Sequence, residues 1–306
     1  MKVKIWLAMF CVYIFWGGTY LAISFAVDSL PPFLMASARW FIAGTILFAW
    51  KRLAGVSRPT STQWKTTAVV GLFLVLGGNG LLSWAEQHVA SGVSAVLIGS
   101  IPLWIVVVDT VRPGGFRPTR QTSLGVLVGF IGILVLINPF NGSGSTLSGE
   151  RIGVLALLMA ALFWSIGSVY SREHHTDMPD EPLLASGMEM LAGGAGLLVV
   201  GTLRGEWQSL SLTQVSTNSL LGFAYLVIFG SLIAYASYSW LLGVAPTPLV
   251  ATYAYVNPLI AILLGSLLAN EPINLQIIIA TIIIVGSVFL TNSSRFARKP
   301  PPAETV

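Results

Sequence analysis

Two charged residues lie deep inside otherwise apolar runs of this chain: Arg39, within 31 to 50, and Glu189, within 182 to 203. By helix rise each sits roughly 10 to 12 Å into its run. A lone charge near a bilayer centre costs at least ~2.5 kcal/mol on insertion scales, so neither is expected to face lipid. The two occupy adjacent aligned positions in the two halves of the chain and approach the membrane middle from opposite faces, which makes an Arg39 to Glu189 pair geometrically feasible. Such residues could neutralise each other, hold separate backbone carbonyls, or serve as a proton or substrate site. Glu189 is the better candidate for a titrating group, so proton coupling stays open.

Pro102 and Pro258 fall inside two further apolar runs at matching positions, with Ser100 near the first and Asn257 beside the second. Each proline removes a backbone donor and strands the carbonyl four residues back, at Ile98 and Ala254, which must then face protein or water. Interrupted helices of this kind point to a cavity; a packing kink is the alternative. Aromatic residues recur in the same way: Trp16 and Trp164, Trp84 and Trp240, with Tyr20, Tyr170, Tyr235, Tyr253 and Tyr255. Trp40, Trp50, Trp104 and Trp207 read as residues of an interfacial belt. Trp16 and Trp164 differ, because the small residues Gly17, Gly18, Ser165 and Gly167 beside them leave room for a ligand or a second backbone. The candidate lining is therefore Trp16, Tyr20, Asn79, Trp84 and Ser100 from the first half, with Trp164, Tyr235, Trp240, Tyr253 and Asn257 from the second. Glu86 and Asp109 stand near run ends, where they are expected to snorkel to water.

Enzyme chemistry finds no constellation. The histidines are His88, His174 and His175, the last two in a polar loop, so no metal site is expected. Gly77 to Gly80 lacks the Lys-Ser/Thr of a phosphate loop, and no ATP or other cofactor is expected. The one cysteine, Cys11, cannot form an intrachain disulfide.

The elements that must hold these residues follow from composition. With 55% hydrophobic and 9% charged residues, the chain cannot cover a soluble globule, and its partner is the lipid bilayer. Apolar runs near 5 to 26, 31 to 50, 67 to 86, 90 to 110, 122 to 139, 151 to 170, 182 to 203, 218 to 242, 247 to 269 and 274 to 291 are each long enough to cross about 30 Å as a helix. The first, though preceded by Lys2 and Lys4, is too long for a signal sequence and is kept as a span. With the N-terminus inside, the cytoplasmic side gathers Lys2, Lys4, Lys51, Arg52, Arg58, Lys65, Arg112, Arg117, Arg120, Arg172, Arg295, Arg298 and Lys299, against Arg151 and Arg204 outside. The net charge of +4 is thus a topology signal, and no nucleic acid is expected as a partner.

The two halves repeat each other. Ala36 to Gly44 recurs as Ala185 to Gly193, Phe15-Trp16 as Phe163-Trp164, Ser83-Trp84 as Ser239-Trp240, and Gly132 and Asn138 as Gly286 and Asn292. Five runs per half is an odd number, so the second copy enters the membrane from the opposite side. The expected fold is all-α and integral to the membrane: ten transmembrane helices in two inverted repeats, 5–139 and 151–292. A Gly/Ser linker, 140–150, would join them, and a basic, Pro-rich tail, 293–306, would follow. Duplicated bundles of this kind are most often secondary transporters with a small-molecule substrate. A facilitative channel would share many of these features, and a membrane-embedded enzyme would need clustered Asp, Glu or His at one face. A Gly125 to Gly129 step permits close helix contact and leaves the oligomeric state open.

Phe15 to Tyr20, the Pro31-Pro32 pair with Ala38 to Trp40, Ala251 to Pro258 and Asn270 to Pro272 together resemble the EamA-type permeases of the drug/metabolite transporter superfamily. The resemblance covers nearly the whole chain. It implies ten helices, a central cavity between inverted repeats, and alternating access. It further implies export of small metabolites, often amino acids, across a bacterial inner membrane, with both termini cytoplasmic. The acidic turn at Glu271 has no acidic counterpart in Pro113 to Arg120.

Overall fold

In the computed structural model the described residues are 2–115, 117–137, 147–211, 213–245, 247–250 and 252–296, and no strand occurs among them. We number the long helices α1 (Lys2–Val27), α2 (Pro32–Leu53), α3 (Ser61–Ala85), α4 (Ser91–Val111), α5 (Arg120–Ile137), α6 (Leu147–Glu173) and α7 (Pro182–Leu203). They are followed by α8 (Thr217–Tyr238, with helix continuing to Val244), α9 (Tyr253–Ala269) and α10 (Leu275–Phe296). Among the described residues, the eight helices α1 to α8 are long and apolar enough to cross a membrane, while α9 and the Leu275–Thr291 part of α10 are shorter apolar helices.

Several boundaries differ from the sequence expectation. The expected linker lies mostly outside the described residues, and its last four residues, from Leu147, already belong to α6. The expected tail begins inside α10, which runs to Phe296; residues 297–306 lie outside the described set. The fourth run is interrupted at Gly99-Ser100, and Pro102 stands in the first turn of the new helix. There its missing N–H is no loss, because a first-turn amide has no intrahelical partner. Only Pro258 sits inside a continuous helix, α9, whose start is separated from a short turn of helix at Thr247–Val250.

Close backbone approach sets the packing. The most extensive contact is α2 on α7. A Cβ on Gly44 would lie 2.9 Å from the Met190 Cβ, and one on Gly187 would lie 2.9 Å from the Phe48 amide nitrogen. In the same way α5 packs on α10, where Cβ atoms on Gly125 and Gly129 would collide with Thr291 and with Leu103 and Ser287. The Gly125 to Gly129 step is therefore filled within the chain. Further contacts join α1 with α8, α3 with α6, and α4 with α9.

Polar contacts concentrate at the two ends of the bundle. At one end, Arg112 Nε and Arg172 Nη2 reach the Asp109 Oδ1 at 2.7 and 2.8 Å, Arg112 also meets Glu173, and Lys51 pairs with Glu181 at 2.9 Å. Asp109 is buried at the hub of this cluster and does not snorkel. At the other end, α2 and α4 start at Pro31 and Ala90, neither of which offers a side-chain cap. Carboxylates from distant elements fill that role. The Phe33 and Leu34 amides donate to Glu206 at 3.4 and 2.9 Å, and the Ser91 and Gly92 amides donate to Glu271 at 2.8 and 3.0 Å. Negative charge at a helix N-terminus is favourable because the first amides have no partner within the helix. Glu86, also expected to snorkel, is 6% exposed with neither carboxylate oxygen hydrogen-bonded.

Candidate functional site: a central chamber

Three helices change pitch part-way along their length. Val12–Trp16 in α1, Leu72–Gly80 in α3 and Leu226–Ile233 in α8 are π-helical. A π-helical turn carries one more residue than an α-helical turn, so it displaces side chains that an α-helical register would stack. The first two stretches bring Trp16 and Asn79 to one chamber, and the third holds the Trp16 indole: Trp16 donates from Nε1 to the Gly230 carbonyl at 2.9 Å, and Trp40 of α2 donates to Asn79 Oδ1 at 3.1 Å. Between them lies a chamber of about 90 Å³, lined by Trp16, Tyr20, Arg39, Trp40, Asn79, Trp164, Tyr235, Tyr253 and Asn257, and by Thr19 and Gly78.

Aromatic contacts build one wall of the chamber. The Trp16 ring lies 6.2 Å from Tyr235, 5.0 Å from Tyr238 and 5.3 Å from Tyr253, centroid to centroid. Opposite, Gly78 lets Trp164 come close, because a Cβ there would fall 2.9 Å from the indole. With its amide oriented to satisfy its neighbours, Asn257 donates to the carbonyls of Tyr13 and Tyr253 at 3.3 and 3.2 Å.

The two intramembrane charges have separate partners. Arg39 Nε donates to the Ser231 hydroxyl at 2.8 Å and its guanidinium lies 4.4 Å from the Trp40 ring centroid. Glu189 Oε2 accepts from the Tyr235 hydroxyl at 3.2 Å. No Arg39 to Glu189 ion pair occurs among the described residues, so the direct pairing anticipated from the aligned positions is not the arrangement found. Both residues are buried, Arg39 to 3% exposure, and Arg39 Nη1 has no hydrogen-bond partner.

Of the expected lining residues, the structure gathers Trp16, Tyr20, Asn79, Trp164, Tyr235, Tyr253 and Asn257 and excludes three. Trp84 lies beyond Asn79, stacked edge-on against His88 at 4.8 Å and lining a separate cavity with Asp28, Arg204 and Glu206. Trp240 follows Tyr235 past the chamber and is 40% exposed. Ser100 is buried in the break of α4, where it donates to the Leu97 carbonyl. Conversely, Trp40, expected in an interfacial belt, is a chamber residue at 4% exposure, and Trp104 packs on Phe130 at 4.9 Å with its Nε1 buried. Trp50 and Trp207 are more than half exposed, as belt residues would be.

The chamber adjoins a larger cavity on one side. A vestibule of about 480 Å³ shares Trp16, Trp164, Tyr235 and Tyr253 with it and extends past Glu189 and Ser186 to Arg172, His175 and Met178. The cavity at the opposite end, by Asp28 and Glu206, shares no lining residue with the chamber.

Two stretches that together span most of the chain, residues 3–138 and 151–293, match the EamA-like transporter family. The chain belongs to that family. Among its relatives is the uncharacterized inner membrane transporter YedA of Escherichia coli (strain K12), 34% identical over 98% of this chain and 94% of the relative. The uncharacterized transporter YoaV of Bacillus subtilis is 26% identical over 97% of this chain and 99% of its own length. A chloroplastic WAT1-related protein of Arabidopsis thaliana is 27% identical over 94% of this chain and 69% of its own. One solved crystal structure shares the fold at a TM-score of 0.65 and 23% identity, covering 95% of this chain and 98% of that one. As an EamA-like protein the chain is a membrane protein with a transporter's relatives, and the names of those relatives point away from an enzyme.

Proposed function

We propose that this EamA-like protein crosses the bacterial inner membrane ten times as two inverted repeats, both termini cytoplasmic, and exports small metabolites by alternating access. Amino acids or related compounds are the substrates considered first. The observation that carries the reading is an asymmetry: the central chamber shares four lining residues with the vestibule at the Arg172 end and none with the cavity at the Asp28 end. A solute bound there meets one side of the membrane at a time, which a continuous channel would not require. The packing supports the repeat relationship. Shifting every helix number by five maps α2·α7 and α5·α10 onto themselves and exchanges α1·α8 with α3·α6, as an inverted duplication would.

Counterflow in liposomes tests this. Vesicles preloaded with one unlabelled compound from a panel of amino acids and other small metabolites should transiently accumulate its labelled form. Conductance without counterflow would favour a facilitative channel instead.

A further inference from the structure

Arg39 is a cation without a counter-ion. Its guanidinium cannot shed its proton in the way a lysine or a carboxyl adjusts, and it is buried beside the chamber with only a neutral hydroxyl and an indole face for company. Among the described residues no carboxylate lies within ion-pair distance of it. Glu189, the nearest candidate by sequence, is engaged by Tyr235 and lines the vestibule, whereas Arg39 lines the chamber. A buried charge left unpaired is strongly unfavourable, and such a charge inside a membrane is tolerated where it faces a cavity that supplies its partner. Arg39 Nη1 is buried without a hydrogen-bond partner, so the protein leaves the guanidinium that lines the chamber only partly satisfied.

We propose that Arg39 binds a carboxylate of the transported compound, so that the substrate is a small organic anion with an apolar or aromatic body. This rests on the transporter reading and adds the chemical class that the chamber accepts. Size fits the assignment. At about 10–15 Å³ per water by the same measure, the chamber of about 90 Å³ holds roughly six to nine water-sized groups, enough for a carboxylate and its first carbons. The rest of the molecule extends into the vestibule of about 480 Å³ between Trp164, Tyr235 and Tyr253. Asn79, whose Oδ1 accepts from Trp40, and Tyr20 stand in the same wall as further polar groups. A neutral solute of the same shape would leave the guanidinium desolvated and unpaired, so selection against it comes from the protein's own charge.

The test compares carboxylates with their uncharged amides: phenylacetate against phenylacetamide, and cyclohexanecarboxylate against cyclohexanecarboxamide. Binding to purified protein in detergent is followed by thermal stabilisation, and transport by counterflow. In the unmodified protein each carboxylate should bind at least tenfold more tightly than its amide. Arg39→Gln should abolish that preference, Arg39→Lys should keep part of it, and Arg204→Gln, whose guanidinium lies near Phe33 and Trp84, should leave it intact. Equal binding of carboxylates and amides by the unmodified protein, a measurement that needs no variant to fold, overturns the proposal. So does an Arg39→Gln protein that still prefers carboxylates. Counterflow of neutral compounds alone would overturn the carboxylate assignment while keeping the transporter. Selective carboxylate binding without counterflow would do the reverse.

Discussion

Glu271 and Ser91 are 180 residues apart in the chain, yet the Glu271 carboxylate accepts the Ser91 amide at 2.8 Å and ties the turn after α9 to the first turn of α4. Gly265 makes room for it, since a Cβ there would fall 2.4 Å from Glu271 Oε2. The contact lies at the α4 N-terminal end of the bundle and joins its two halves there. Hydrogen bonds to a charged group are worth about 1.5–3 kcal/mol each, so Glu271→Ala should favour opening at that end. A single cysteine at the chamber residue Leu82, with Cys11→Ser, should then label faster from the Asp28 side in the Glu271→Ala background. Unchanged labelling would mean that this cap does not hold the closure.

The Arg39 and Glu189 variants should combine without coupling. Because each has its own partner, Ser231 or Tyr235, the destabilisations of Arg39→Met and Glu189→Gln in detergent should add to within about 0.5 kcal/mol. Rescue in the double variant would show that the two meet in another state of the transport cycle.

Chamber and peripheral tryptophans should separate. Trp164→Ala should reduce counterflow severely while the protein still folds. Trp16→Ala should also lower thermal stability, because it removes the indole hydrogen bond to the Gly230 carbonyl and contacts to three tyrosines; loss of a packed Trp costs about 3–5 kcal/mol. Trp240→Ala, at a 40% exposed site away from the chamber, should transport close to normally. Strong impairment by Trp240→Ala with Trp164→Ala unaffected would relocate the binding region.

Glu86 should be worse for stability than an apolar residue of similar volume. Both of its oxygens are buried without a hydrogen-bond partner, and replacing a buried, uncompensated polar group by a well-packed apolar one removes a desolvation cost of about 1–3 kcal/mol. Glu86→Met should raise the unfolding temperature in detergent. A fall would indicate that bound water or another group satisfies the carboxyl in the native protein.

Membrane sidedness has a direct readout. With Cys11→Ser, single cysteines at Gln87 or Gln208 should react with impermeant reagents in intact cells, and those at Arg58 or His175 only after permeabilisation. All four positions are exposed. Labelling of His175→Cys from outside would reverse the orientation.

Sequence pattern carried the hydrophobic helices and most of the chamber, since Trp16, Trp164, Tyr235 and Asn257 announce themselves as large or polar residues in apolar runs flanked by small ones. It failed where a residue's role depends on a distant partner. Trp40 looked interfacial because nothing near it in sequence tells that Asn79, 39 residues on, would accept its indole proton. The caps at Glu206 and Glu271 were hidden for the same reason, although the uncapped starts at Pro31 and Ala90 were a readable hint that some carboxylate had to come from elsewhere. Trp84 and Trp240 were misplaced because the repeat shows which residues correspond, not how far along the helix axis a cavity lies.

The wide turns at Val12–Trp16, Leu72–Gly80 and Leu226–Ile233 also act as stored rotation. An extra residue in a turn offsets everything beyond it by about 100°, so tightening such a turn to α-helical pitch swings the downstream half of the helix without breaking it. Tightening in α1, α3 or α8 would turn Trp16, Asn79 or Tyr235 off the chamber wall, releasing its contents through a change of helical winding alone.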